Sequence, residues 1–94
     1  MDIVITDNPA RQRLEAVVDG ELSVLEYRID GTTLVIRHTE VPDALAGRGI
    51  ASALMKHAFE SARERGMRVA PRCSYAEVWV RRNPDYADLV HEGD

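Results

Sequence analysis

The chain has 94 residues, of which 45% are hydrophobic, a length and composition that predict a single domain over residues 1–94 with one modest core. Its formal net charge of −4 at pH 7, with basic residues spread along the chain, argues against non-specific binding to nucleic acid or to an anionic membrane. The single cysteine excludes an internal disulfide, and an acidic residue stands where a signal peptide carries basic charge, so we expect a soluble cytoplasmic protein.

The first half of the chain has the pattern of an antiparallel meander. Runs of β-branched and alternating apolar residues predict strands at residues 2–6, 11–18, 21–29 and 32–41. Asp19-Gly20 and Asp30-Gly31 are typical of two-residue hairpin turns, in which central residues with positive φ are favoured. Within the third strand the alternation of apolar residues slips by one near Leu25, which predicts a β-bulge there.

A long amphipathic helix follows the meander. Apolar residues recur at helical spacing from Ile50 to Arg65, and Gly66 stands where a glycine often ends a helix. The predicted core stripe consists of Ile50, Ala51, Leu54, Met55, Ala58, Phe59 and Ala62. His57 falls on the opposite face, so we expect it to be exposed to solvent.

Two further elements come after this helix. Residues 67–71 predict a short strand, placed parallel to the strand at 32–41 by the intervening helix. An S-x-x-E capping box at Ser74 and Glu77 predicts a second, shorter helix over residues 75–82. The whole pattern indicates an α/β (α+β) fold, with a mostly antiparallel sheet, one crossover helix and a short C-terminal helix.

A loop suited to bind an anion lies between the fourth strand and the long helix. Its sequence is PDALAGRG, in which Gly47 and Gly49 flank Arg48. The first amides of a helix lack intrahelical partners and carry partial positive charge, and glycines before the helix let a phosphate approach the main chain. Two commoner phosphate motifs do not match. No lysine follows either glycine, as a Walker loop requires, and Ser52 stands at the third glycine of the dinucleotide fingerprint.

Two motifs carry a resemblance to a known family. The stretch TEVPDALAGRGIA, residues 39–51, resembles the acetyl-CoA-binding motif of the GNAT N-acetyltransferase superfamily, usually summarised as Q/R-x-x-G-x-G/A after a strand. Together with PRCSYAEVWVRRNPDY further along, it is similar to the small, minimal GNAT-like subfamily from about Leu14 to Tyr86. Ala44 departs from the superfamily pattern, which often has Gln or Arg there. This weakens a side-chain contact, whereas the phosphate contacts are mainly to the backbone.

The resemblance implies acetyl-CoA (coenzyme A) as the cofactor and an amine as the acceptor. It also implies that two neighbouring strands diverge, so that the main chain of residues 38–41 pairs with pantetheine while the loop holds the phosphates. The implied cofactor contacts are Thr39, Glu40, Val41, Leu45, Ala46, Gly47, Arg48, Gly49, Ile50, Ala51, Asn83 and Pro84. No metal site is predicted, because the three histidines are scattered and the cysteine is alone.

Cys73 and His38 are the candidate catalytic pair. Cys73 directly precedes the predicted cap of the second helix, whose dipole would stabilise a thiolate, and His38 lies on a neighbouring strand as a base or orienting partner. The subfamily is similar at both positions, which suggests an acetyl-cysteine intermediate. Each residue also has a structural interpretation, since a single cysteine is commonly a small buried hydrophobe and a strand histidine commonly bonds a backbone carbonyl.

Other side chains are weaker candidates. Tyr86 could protonate the departing CoA thiolate, as a tyrosine does in many GNAT enzymes, but packing of the C-terminal segment explains it as well. Glu40 could act as a base through water or be a solvated carboxylate at the strand end. Tyr75 and Trp79 are four residues apart on one helix face and are predicted to lie in the core.

Three functions remain compatible with the sequence. The first is an acetyl-CoA-dependent N-acetyltransferase for a peptide, a protein or a small amine, with an open acceptor groove because the chain is short. The second is a catalytically inactive CoA-binding or protein-interaction module. The third is a structural domain in which Gly47 and Gly49 only form a turn. In each case we expect a monomer or a weak dimer that binds neither nucleic acid nor membrane.

Overall fold

The computed structural model describes residues 3–91, which form a five-stranded sheet packed against two α-helices. The strands are β1 (Thr6–Asn8), β2 (Arg13–Val18), β3 (Glu21–Asp30), β4 (Thr33–Glu40) and β5 (Arg68–Pro71), and the helices are α1 (Ile50–Glu64) and α2 (Ser74–Arg82). The strands lie side by side in chain order, with β1 to β4 antiparallel and β5 parallel to β4 after the α1 crossover. The predicted fold class is therefore confirmed. Neither α-helix in this part of the chain is long and apolar enough to cross a membrane.

β1 begins at Thr6, whereas the sequence predicted a strand at residues 2–6. Asp2, the first residue of that predicted strand, lies outside the described residues. Ile3 and Ile5 pack against the core instead of forming strand pairs. β2 also begins after its predicted start. The residues before it form a 3₁₀ turn, and Gln12 then adopts a left-handed conformation with φ of 54°.

The two hairpin turns differ in type. In the β2–β3 turn, Asp19 and Gly20 are the central residues, with φ of 53° and 76°, which is the type I′ geometry that an Asp-Gly pair favours. In the β3–β4 turn, Asp30 is still paired, so the central positions begin one residue later, and only Gly31 has positive φ. Glycine at the first central position is typical of a type II′ turn. Both hairpins are confirmed, the second with its turn shifted by one residue.

The predicted β-bulge is present, but it lies on β4 and not on β3. Tyr27 lies opposite Ile36 and Glu26 lies opposite His38, so Arg37 has no partner on β3. An extra residue in one strand reverses the side on which the following side chains point. The alternation along β3 is itself regular, because Leu25 and Tyr27 belong to the core cluster, whereas Leu22 and Val24 lie outside it.

The bulge at Arg37 decides which residues of β4 face the helices. Thr39 lies opposite Leu25, a fully buried residue of the core, and therefore shares its side of the sheet. His38 and Glu40 flank Thr39 and point to the other side, where both are exposed. Without the bulge these assignments would be reversed.

α1 packs its apolar face against the sheet. The residues of its stripe that are at most 1% exposed are Ile50, Leu54, Met55, Ala58, Phe59 and Ala62. Ala51 is partly exposed, and His57 faces solvent as predicted. Fully burying a side chain such as Leu54 contributes about 1.5–3 kcal/mol, so this stripe is a major source of stability. Gly66, with φ of 68°, follows the last turn as expected for a glycine that ends a helix.

α2 is held by an aromatic cluster and begins one residue earlier than predicted. Trp79 stacks on Phe59 with ring centroids 5.2 Å apart, and its indole N–H donates to Ser52 of α1 at 2.8 Å. The N-cap is Cys73, not Ser74, because Cys73 has the extended backbone of a cap and Ser74 is already helical. The predicted capping box at Ser74 is therefore wrong.

Candidate functional site

A gap opens between β4 and β5 at their carboxyl ends. The parallel ladder ends at the pair Ile36 and Pro71, followed by one bond from the Arg72 amide to the Ile36 carbonyl at 3.0 Å. The antiparallel ladder between β3 and β4 continues to Glu40. The amides of Arg68 and Arg72 are among those on alternate residues of the β5 side that donate toward β4, and beyond Arg72 the bulge at Arg37 turns β4 away. The β5-facing edge of β4 beyond the bulge is thus left without strand partners among the described residues.

A cavity of about 280 Å³ lies where this edge meets the start of α1. Its lining residues are Val41, Leu45, Ala46, Gly47, Gly49, Ile50, Ala51, Ser52 and Tyr75. Most of the cofactor contacts implied by the sequence therefore surround one space. Ser52 and Tyr75 were not among them, and the sequence contains no motif that would have singled them out.

The N-terminus of α1 is suited to an anion at this cavity. The N-cap is Gly49, which has φ of 80° and no side chain to bond the first amides of the helix. Gly47 also has positive φ, of 82°. Both conformations are easily adopted by glycine and strained for other residues. Unbonded amides and the helix dipole together favour a phosphate at this point.

Arg48 is not one of the lining residues, although the sequence places it between the two glycines. Its Nη1 donates to a carboxylate oxygen of Asp19 in the β2–β3 turn at 2.5 Å. The positive charge that the sequence offers to the loop is therefore engaged with an acid of the chain itself.

Cys73 and His38, the candidate catalytic pair, are not brought together. The Cys73 sulfur accepts a hydrogen bond from the Ala76 amide at 3.4 Å and lies 3.8 Å from the Thr39 hydroxyl. His38 points to the opposite side of the sheet, where its Nε2 lies 3.3 Å from a carboxylate oxygen of Glu40. The reason is the bulge in β4, which turns Thr39 and not His38 toward Cys73.

Tyr75 and Tyr86 have different surroundings. Tyr75, predicted to be in the core, is 38% exposed and lines the cavity, and partial burial raises the pKa of its hydroxyl. Tyr86 packs on the rings of Phe59 and Trp79, and its hydroxyl donates to Glu60 at 2.5 Å. That hydrogen bond is the main cause of the raised pKa of Tyr86. The packing interpretation of Tyr86 therefore fits the structure, and Tyr75 is the tyrosine at the cavity.

Asn83 and Pro84 lie at the end of α2 and are not among the cavity-lining residues. The Asn83 side chain donates to the Trp79 carbonyl at 2.8 Å, and Pro84 opens the 3₁₀ turn that follows. Both residues therefore have a structural role at the end of α2, where Asn83 is the C-cap. Glu40, whose side chain is 72% exposed, likewise matches the interpretation as a solvated carboxylate.

Comparison with known proteins identifies the family. Residues 13–89 match the family model described as GCN5-related N-acetyl-transferase. The chain belongs to the GCN5-related N-acetyltransferase family. The matched range includes β2 to β5, both α-helices and all the residues that line the cavity.

Relatives of this GCN5-related chain occur in vertebrates and bacteria. Protein NATD1 of Xenopus tropicalis is 38% identical over 72 residues, covering 77% of this chain and 65% of that protein. Protein NATD1 of Bos taurus is 43% identical over 63 residues, covering 66% of this chain and 56% of that protein. The chain thus spans less than two thirds of the length of these relatives.

A solved structure has the same fold. The solution NMR structure of a GCN5-like protein from Staphylococcus aureus superposes with a TM-score of 0.76 at 26% sequence identity. The match covers 97% of this chain and 90% of that chain. The five-stranded arrangement with few helices is therefore a GCN5-like N-acetyltransferase fold.

Proposed function

We propose that the chain is an acetyl-CoA-dependent N-acetyltransferase that moves an acetyl group to an amine on a peptide, a protein or a small molecule. The observation that supports this proposal is that three features lie next to one another: the cavity, the unpaired edge of β4 and Cys73. The cavity at the uncapped start of α1 adjoins the unpaired edge of β4, and that edge leads to Cys73. Membership of the GCN5-related family supports the same reaction class.

The pyrophosphate, the pantetheine and the thioester of acetyl-CoA each have residues of matching chemistry. The pyrophosphate would be held by main-chain amides around Gly47, Gly49 and Ile50, where the helix dipole favours negative charge. The pantetheine amides would pair with the main chain of residues 39–41, as an added strand pairs with a sheet edge. The thioester would then lie near Thr39 and Cys73, where the two strands separate.

Cys73 is the nucleophile of a two-step reaction in this proposal. Its sulfur attacks the thioester carbonyl, the new S–acetyl bond forms, and the bond from the acetyl carbon to the CoA sulfur breaks. Tyr75, which lines the cavity, would donate its hydroxyl proton to the CoA sulfur and would take up in its place the proton that the Cys73 thiol loses. The acceptor amine then attacks the acetyl-cysteine, its proton returns to the Cys73 sulfur, and the acetylated amine leaves.

A second candidate function is a CoA-binding module without turnover. Two observations favour it: His38 faces away from Cys73, and the Cys73 sulfur is engaged as the N-cap of α2. Such a module would bind CoA at the same cavity and leave the thioester intact.

Thermal unfolding with and without acetyl-CoA, with NAD as the control ligand, tests the binding site. A ligand that binds the native state raises the unfolding free energy by about 2.7 kcal/mol at a hundredfold excess over its dissociation constant. A shift specific to acetyl-CoA is expected. No shift at millimolar acetyl-CoA would overturn both candidate functions.

Release of free CoA in the presence of amines then separates the enzyme from the binding module. The enzyme releases CoA above the spontaneous rate, and intact mass detects an added acetyl group that is absent from Cys73→Ser. Saturable binding with no acetyl loss, and with the same behaviour in Cys73→Ser, would favour the module. CoA release that is unchanged in Cys73→Ser would show direct transfer from CoA to the amine.

A further inference from the structure

An ion pair joins the loop before α1 to a distant hairpin. Arg48 Nη1 donates to Asp19 Oδ2 at 2.5 Å, across 29 positions of sequence. The two side chains are 39% and 62% exposed. An exposed pair of this kind contributes little to stability, so a stronger ligand of the guanidinium can replace the carboxylate.

A phosphate group is such a ligand. Phosphates bind guanidinium groups through paired, charge-assisted hydrogen bonds and carry at least as much negative charge as a carboxylate. Arg48 is the one basic residue in the loop at residues 42–49, and Asp43 in the same loop adds an acid. While Asp19 is paired with Arg48, the charge of the arginine is neutralised and the carboxylate of Asp43 lies in the same loop. Both conditions weaken the attraction of the loop for a phosphate.

We propose that Asp19 is a competing anion that lowers the affinity of this loop for the phosphates of CoA and is displaced from Arg48 when they bind. This inference rests on the proposed function and concerns the regulation of the same site. Asp19 suits the role of a displaceable competitor because it lies in an exposed turn, and no other described residue bonds its carboxylate.

Asp19→Asn is a clean test because the hairpin tolerates it. Asn-Gly is the most favoured dipeptide of a type I′ turn, so the substitution removes the charge and keeps the turn. Asp30→Asn is the matched control. It makes the same charge change in the other Asp-Gly hairpin, at the far end of β3.

The measurement is the dissociation constant for acetyl-CoA by isothermal titration calorimetry, at one pH and one ionic strength. We expect Asp19→Asn to bind about three- to fivefold more tightly than the unmodified chain, the upper part of the range that the strength of an exposed ion pair allows. Asp30→Asn should bind within about twofold of the unmodified chain, because exposed charges this far apart are screened. In an Arg48→Gln background the gain from Asp19→Asn should shrink, since there is no pair left to release.

Three results would count against the inference in different ways. Equal affinities for Asp19→Asn and Asp30→Asn would overturn it while leaving the proposed function in place. Weaker binding by Asp19→Asn would also overturn it and would make Asp19 a support for Arg48. Absence of acetyl-CoA binding in the unmodified chain and in every variant would overturn the proposed function together with the inference.

Discussion

The Cys73 sulfur lies 3.8 Å from the Thr39 hydroxyl, and the two residues span the gap where β4 and β5 separate. The same sulfur caps α2 by accepting from the Ala76 amide at 3.4 Å. Cys73 thus has one contact that stabilises a helix and one that faces the candidate site. Substitutions can separate these two roles.

Replacing Cys73 distinguishes its capping role from its proposed chemistry. Cys73→Ala removes the cap and should lower the unfolding free energy by about 0.5 kcal/mol, the low end of the range for N-caps, because sulfur is a weak acceptor. Cys73→Ser keeps an acceptor at the N-cap and should be at least as stable as the unmodified chain, while it fails to become acetylated. Urea unfolding and intact mass after incubation with acetyl-CoA check the two effects. Persistence of the acetyl adduct in Cys73→Ser would place the modification elsewhere.

Thr39 and His38 should differ in their effect on the reactivity of Cys73. Thr39→Val removes the neighbouring hydroxyl and should slow alkylation of Cys73 by iodoacetamide about two- to tenfold, because a hydrogen-bond donor near the sulfur stabilises the thiolate. His38→Gln should leave the rate nearly unchanged, since that side chain points to the other side of the sheet. A slower rate in His38→Gln than in Thr39→Val would contradict the side assignment made by the bulge.

Gly49 is expected to be sensitive to substitution because of its conformation. It is the N-cap of α1 with φ of 80°, and an alanine there would carry a left-handed strain of about 1–2 kcal/mol. Asparagine tolerates this conformation better and can bond the first amides of a helix. Gly49→Ala should therefore melt at a lower temperature than Gly49→Asn in calorimetry. Equal melting temperatures would argue that the loop relaxes to another conformation.

Two serine-to-alanine changes should have opposite effects on stability. The hydroxyl of Ser23 is fully buried and has no hydrogen-bond partner among the described residues, so Ser23→Ala should stabilise the fold by about 1 kcal/mol. Ser52 accepts from the Trp79 indole at 2.8 Å, so Ser52→Ala should cost about 1 kcal/mol. Chemical denaturation of both variants checks the signs. A destabilised Ser23→Ala would mean that its hydroxyl is bonded after all.

Tyr27 should make the fold sensitive to alkaline pH. Burial, together with a hydrogen bond from its hydroxyl to Asp7 at 2.6 Å, raises the pKa of Tyr27 to about 12 from an ordinary value of 10.0. Between about pH 10 and 12 the folded chain therefore keeps a proton that the unfolded chain has lost, and the unfolding free energy falls as the pH rises.

Tyr27→Phe is the variant that isolates this effect. It loses the bond to Asp7, so at neutral pH it should be less stable than the unmodified chain by about 1 kcal/mol. Across pH 10 to 12 its stability should decline less steeply, because the titrating group is gone. Urea unfolding at several pH values gives both curves. Parallel curves over that range would rule out Tyr27 as the source of the decline.

Much of the fold could be predicted from local sequence patterns. The Asp-Gly turns, the apolar stripe from Ile50 to Ala62 and the glycine after α1 depend on neighbours a few residues away. The loop before α1 could also be placed, because proline, glycine and helix onset follow one another in the chain. Such features are set by backbone preferences and short periodicity, which a single sequence displays directly.

The composition of the candidate site was decided by the tertiary structure. The sequence alone predicted His38 as the partner of Cys73. Because of the bulge at Arg37, the residue that lies next to Cys73 is Thr39. The sequence predicted a contact between Arg48 and a phosphate, but in the folded chain Arg48 forms an ion pair with Asp19. Each of these outcomes depends on strand register and on contacts between distant segments. Shifting a strand by one residue turns every following side chain to the other face, and local patterns do not determine where that shift occurs.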